Sequence, residues 1–228
     1  MASKTDFKKV EIASPWGLDP EARKPLPRGR HALSRETVLA SQRGRLLHAV
    51  LIAVAQKGFG SVVVGDVIAE AGVSRKAFYE HFDGFDECWS EAWEIAIDVL
   101  FVEIGKAVAE RGDVTDREAL IGLGAEVALT LSAAEPLVAH ATLLDVIGGG
   151  PAGLKASQAA LERHANLILM TWDGKSYADS TEERRLAAMA AVSIYTGTVR
   201  AYLIADRAEE LPSLAGQVTK LVIAALEA

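Results

Sequence analysis

Residues 64–82 (VGDVIAEAGVSRKAFYEHF) constrain the fold more than any other part of the 228-residue chain. Gly72 suits the left-handed conformation that closes a helix, and Ser74 suits the cap of the next one, so the stretch predicts short helices over 64–71 and about 74–82. Val67, Ala71, Val73, Phe78 and Phe82 supply apolar packing between them and against the preceding segment. Two short helices meeting at a three-residue turn form the helix-turn-helix pattern, whose second helix enters the DNA major groove by its first residues. On a helix starting at Ser74, Arg75, Lys76 and Tyr79 share an outward face while Phe78 and Phe82 point inward. Cations and hydrogen-bonding groups on such a face match phosphates and base edges.

Helical signals dominate the rest of the chain. Residues 1–33 hold four prolines (Pro15, Pro20, Pro25 and Pro27) and no apolar periodicity, which reads as a mobile basic arm. From Ser34, Leu47, Val50, Leu51 and Val54 recur at helical spacing until Lys57-Gly58. A long helix follows from Phe85 to near Gly112. Thr115 and Glu118 form a capping box for a helix over 116–133. Pro136 and Pro151 suit first turns of helices over 136–147 and 151–172. Another is expected over 181–206, and a last one opens at Pro212. Gly148-Gly149-Gly150 reads as a flexible connection. The fold expected is all-α with about nine helices: an arm (1–33), a DNA-binding domain (34–83) and a helical body for effector binding and dimerisation (84–228).

The net charge of −7 argues against nucleic acid until it is divided along the chain. Residues 1–82 carry 13 Lys/Arg against 8 Asp/Glu, whereas residues 83–228 carry 11 against 23. A basic end that meets a polyanion and an acidic body that does not is the division this suggests, although solvated acidic helices give the same count. No run approaches about 18 uninterrupted apolar residues, and the N-terminus has no apolar h-region, so neither membrane span nor signal peptide is expected. The single cysteine, Cys88, allows no intrachain disulfide and no Cys-rich metal site, which together points to the cytoplasm. There is no Gly-x-Ser-x-Gly elbow, metal-spaced His/Glu cluster or phosphate loop, so no catalytic residue, metal or cofactor is assigned.

Ala71-Gly72-Val73-Ser74, Phe78-Tyr79 and His81-Phe82 together resemble the DNA-binding signature of the tetracycline-repressor (TetR) family. The resemblance spans about residues 34–100, and the Pro27–His31 arm is similar to actinobacterial members. It implies a sequence-specific DNA-binding regulator, a repressor released from double-stranded operator DNA by a small-molecule effector. By the same resemblance Lys76 and Tyr79 reach the major groove. Arg75 and His81 bond phosphates, as does Arg43, and Arg28 and Arg30 lie in an adjacent minor groove. Read without the motif, Tyr79 is a surface tyrosine, His81 a cap or packing group, and the arm merely solvated. Three positions depart from the family pattern: Ala77 replaces Thr or Ser, Val63 a capping Thr, and Ile68 an Ala.

The resemblance assigns the body two tasks. Leu186, Ala190, Ile194 and Gly197, with Leu214, Val218 and Leu221, give the last two helices more apolar surface than one face needs. A four-helix homodimer interface would use that surface, and completion of the intrachain core is the alternative. Trp89, Trp93, Phe101, Trp172, Tyr195 and Tyr202 are candidates to line a largely apolar effector pocket, with His140 and Asn166 as polar anchors. Aromatics at helical spacing are more often core than pocket wall.

Overall fold

A computed structural model describes residues 35–112 and 115–228. Among them are nine α-helices: α1 (Arg35–Lys57), α2 (Val64–Ala71), α3 (Arg75–Tyr79), α4 (Phe85–Arg111), α5 (Arg117–Ala134), α6 (Pro136–Leu143), α7 (Gly150–Trp172), α8 (Glu182–Ile204) and α9 (Ala215–Glu227). Short 3-10 turns at Phe59–Ser61, Asp145–Gly149 and Ala208–Leu214 join some of them, and the described residues form no strand. Arg28, Arg30 and the rest of the arm lie outside the described residues.

Helices α1 to α3 close around one core. Leu46, Val50, Leu51 and Val54 of α1 meet Val67 of α2, Phe78 and Phe82, and all are at most 2 % exposed. The same core takes in Cys88, Trp89, Ala92 and Trp93 of α4 and Val138 and Ala141 of α6. Packing is therefore continuous across the boundary expected at residue 84. A second apolar cluster joins α5, α8 and α9 through Leu129, Ala191, Val199, Val222 and Leu226.

Four expectations need correction. The α5 cap is Asp116, whose Oδ1 accepts from the Glu118 amide at 3.1 Å, and not Thr115, because the side chain nearest the free amides wins. Helix α6 stops at Leu143 and tightens into a 3-10 turn rather than running to 147. Pro212 lies inside the turn at Ala208–Leu214, and α9 begins only at Ala215. The triple glycine is not a loose connection. A Cβ on Gly148 would stand 2.8 Å from Phe59 Cβ, and one on Gly153 would collide with the Val146 carbonyl oxygen. Both glycines permit close packing of the Asp145–Gly149 turn against its neighbours.

Cys88 is fully buried in the first core, and burial pushes its thiol up to about 12. A thiol that neither ionises nor meets solvent is a poor nucleophile. The folded protein is expected not to react with a disulfide reagent such as DTNB at pH 8, and to react fully in guanidinium. Rapid labelling of the native protein would contradict this burial.

Candidate functional site

The turn between α2 and α3 is fixed from both sides. Gly72 adopts φ 62°, ψ 38°, and its amide returns to the end of α2. Ser74 Oγ accepts from the Ala77 amide at 3.1 Å and so caps α3. Arg45 of α1, which is buried, donates through Nη1 to Ala71 O at 2.9 Å, satisfying a carbonyl that the helix end leaves free. The sequence reading missed Arg45, since nothing local marks an arginine that reaches 26 residues along the chain. At the start of α2, Val63 offers no side-chain acceptor, as expected. The Asp66 carboxylate compensates by accepting from the Val63 amide at 3.1 Å and pairing with Lys57. These contacts hold Asp66 below the usual carboxylate range.

On this frame Phe78 and Phe82 are buried, with ring centroids 5.7 Å apart, while Ser74, Arg75, Lys76 and Tyr79 face outward. The Lys76 side chain is 88 % exposed, with only Glu80 at 3.8 Å, and Tyr79 is 50 % exposed. This helix end presents two cations and a phenol to solvent. Arg43 and His81 differ from the three. Arg43 makes a two-pronged pair with Glu91 of α4 and lies over the Phe82 ring, 4.9 Å from its centroid. Its charge is thus spent on fastening α1 to α4. His81 is half-buried, and burial together with the Arg43 charge pushes its pKa down, so it is not a ready cation for phosphate.

The body contains a cavity of about 440 Å³ between α4, α5, α7, α8 and α9. Its lining includes Leu100, Phe101, Ile104, Leu120, Ile121, Ala128, Leu167, Ile168, Ala191, Val192, Tyr195 and Val222, with no Lys, Arg, Asp or Glu. A smaller chamber of about 70 Å³ shares Leu100, His164 and Tyr195 with it and reaches Ser132, Glu135 and Thr142. Of the eight residues expected at a pocket, Phe101 and Tyr195 line the cavity.

The other six serve the framework. Trp89 packs edge-on to Phe59 at 5.3 Å, and Trp93 Nε1 donates to Thr142 O at 3.3 Å. Trp172 lies under the Arg117 guanidinium at 4.0 Å, and Tyr202 beneath Arg207 at 5.1 Å. His140 bonds Asp145 at 2.7 Å, and Asn166 Oδ1 accepts from the Tyr177 amide at 2.8 Å. Among the polar lining groups not foreseen is His164, whose ring centroid is 4.6 Å from that of Phe101.

Of the seven residues expected at a subunit face, Leu186, Ala190, Gly197 and Leu221 are exposed. Ile194 and Leu214 are half-buried against the second cluster. Val218 is 3 % exposed and lines the cavity, so it completes the intrachain core instead of meeting a partner.

Residues 46–91 match the family model described as bacterial regulatory proteins, tetR family. The fold is similar to that of the fatty acid degradation regulator FadR from Bacillus halodurans, with TM-score 0.66, 19 % identity, and 80 % of this chain and 94 % of that one covered. A transcriptional regulator from Pseudomonas aeruginosa PAO1 gives 0.65 and 18 %, covering 86 % and 93 %. FadR from Bacillus subtilis in complex with stearoyl-CoA gives 0.64 and 17 %, covering 79 % and 97 %. No curated protein matches the chain. The turn, its outward-facing cations and the family match all fall on the same residues, so residues 46–91 carry the DNA-binding region of the tetR family, and the described chain has the fold of the regulators above.

Proposed function

We propose that the protein is a homodimeric repressor that leaves its operator when a small, largely apolar molecule fills the cavity of the body. The observation that carries this reading is the path of α4. Its first turns (Cys88, Trp89, Ala92 and Trp93) are locked into the core of the DNA-binding domain. Its later turns (Leu100, Phe101, Ile104 and Val108) wall the cavity. One 27-residue helix, about 40 Å long, thus belongs to both parts and transmits a change in one to the other. A volume of about 440 Å³ lies in the range of small-molecule pockets, and its uncharged lining selects apolar ligands. The stearoyl-CoA complex of the Bacillus subtilis neighbour supports a long-chain ligand in this fold.

Dimerisation is read from α8. By length and composition the segments Val38–Lys57 and Glu182–Ile204 are both apolar enough to cross a membrane. The first is half buried against the DNA-binding core, but only 22 % of the second's most apolar window is buried. Leu186, Ala190, Gly197 and Ile204 fall on one exposed stripe of α8, and Leu221 is exposed on the adjoining α9. A second copy packed on this stripe would bury it and place two recognition helices about 34–36 Å apart, the repeat of the major groove.

Selection of DNA from a random pool tests the reading. An enriched palindrome is expected. Tyr79→Ala and Lys76→Ala should each weaken the selected site by about 1–3 kcal/mol if they read bases. If Lys76 contacts a phosphate instead, its loss lowers the salt slope by about 1. Weak binding to every sequence, erased by salt, would refute the operator reading.

A further inference from the structure

Hydrogen bonding in the two chambers is one-sided. Five hydroxyls line them, and the geometry gives each hydrogen an internal acceptor. Ser132 Oγ donates to Ala128 O at 2.8 Å, Thr142 Oγ1 to Val138 O at 2.9 Å, Thr171 Oγ1 to Leu167 O at 2.9 Å, and Thr196 Oγ1 to Val192 O at 3.1 Å. Tyr195 Oη lies 3.2 Å from Ser132 Oγ and 3.4 Å from Ala128 O. A hydroxyl whose hydrogen is committed presents only lone pairs to a ligand. No Lys, Arg, Asn, Gln or Trp lines either chamber, and Glu135 in the small one is a further acceptor.

His164 completes the pattern. Its Nδ1 is 2.8 Å from Ala160 O, and a carbonyl only accepts, so Nδ1 carries the hydrogen and Nε2 bears the lone pair. Burial pushes the pKa of this ring down, which keeps it neutral and fixes that assignment. Nε2 is buried and has no hydrogen-bond partner. The ring stands at the seam between the chambers, in the lining of both. An acceptor left bare in an apolar wall is a cost that only a donor can remove.

Building on the effector reading above, we propose that the ligand is a neutral, largely apolar alcohol. Its hydroxyl lies at the seam and donates to His164, the specificity-determining residue. A carboxylate or phosphate end would bring lone pairs to a wall of lone pairs with no cation to balance its charge. An ether of the same chain would leave Nε2 unpaired. The pocket therefore rejects both, as sites built around hydrogen bonds reject analogues that lack the matching group.

The test uses the full-length protein and displacement of the fluorescent probe N-phenyl-1-naphthylamine by 1-dodecanol, dodecyl methyl ether and dodecanoate. Dodecanol is expected to bind at least about tenfold more tightly than either of the others. His164→Phe keeps the ring against Phe101 but removes the acceptor. It should bring the alcohol-to-ether ratio below about threefold, while affinity for the ether stays within about twofold. A purely structural role for His164 would weaken all three ligands alike and leave the ratio unchanged, which would overturn the assignment. Equal binding of alcohol and ether to the wild type, or tightest binding of dodecanoate, would overturn the proposal while leaving the cavity a ligand site. Should neither the probe nor any of the three bind, the effector reading itself falls and this proposal with it. The ligand series on the wild type decides the matter even if the variant does not fold.

Discussion

Phe78→Ala is expected to lower stability by about 3–5 kcal/mol, the range for emptying a large aromatic site in a closed core. The side chain is 0 % exposed, and its ring packs against Phe82 at 5.7 Å and Tyr79 at 5.3 Å. Helix α3 has only five residues, too few to persist on intrinsic propensity. It exists because Phe78 and Ala77 are held against the core and Ser74 caps its start. Losing Phe78 therefore removes both the packing and the orientation of Arg75, Lys76 and Tyr79. Urea unfolding followed by circular dichroism reads the first effect, and operator binding reads the second. Tyr79→Ala is the control, because a half-exposed side chain should cost under about 0.5 kcal/mol in stability while still weakening DNA binding. A loss below about 1 kcal/mol for Phe78→Ala would mean that the core does not hold the recognition helix in place.

The contrast between those two neighbours shows why the DNA-binding half was legible in the sequence. Its geometry depends on local signals: Gly72 for the left-handed residue, Ser74 for the cap, and Phe78 and Phe82 at the i, i+4 spacing of one helix face. Helix α2 was placed to the residue for that reason. Arg43, Arg45 and Glu91 were not readable as a group, because their contacts join positions 26 to 48 residues apart. In the body the misreading had a different cause. Aromatic spacing alone does not separate pocket wall from core, and Trp89, Trp93 and Trp172 belong to the core. A cavity between packed helices is made by what is missing. Gly105, Gly124, Ala125, Ala128 and Ala191 line this one, and small residues divided among three helices leave no single pattern in the sequence. His164 escaped notice likewise, since a lone histidine in a polar-looking helix signals nothing until its Nε2 is seen without a partner.

A cavity made by small side chains can be closed by one larger side chain, and Gly124→Leu is expected to separate ligand binding from DNA binding. Gly124 lies within α5 and lines the cavity, and a Cβ built on it meets nothing within 4 Å. The added atoms therefore enter empty space instead of displacing a neighbour. Replacing a glycine inside a helix contributes up to about 1 kcal/mol through backbone entropy alone, and apolar contacts made by the leucine add to it. The variant should melt at a higher temperature than the wild type. Its operator affinity should be unchanged, because α2 and α3 pack on a different cluster from the one around Gly124. Dodecanol binding should fall by more than about tenfold, and the operator complex should resist ligands that release the wild type. Destabilisation would show that the walls cannot accept the side chain. Normal release by ligand from a stable variant would place the effector somewhere other than this cavity. A stable, DNA-bound protein that no longer answers to ligand would show that the empty volume, and not the flexibility of the body, couples ligand to DNA binding.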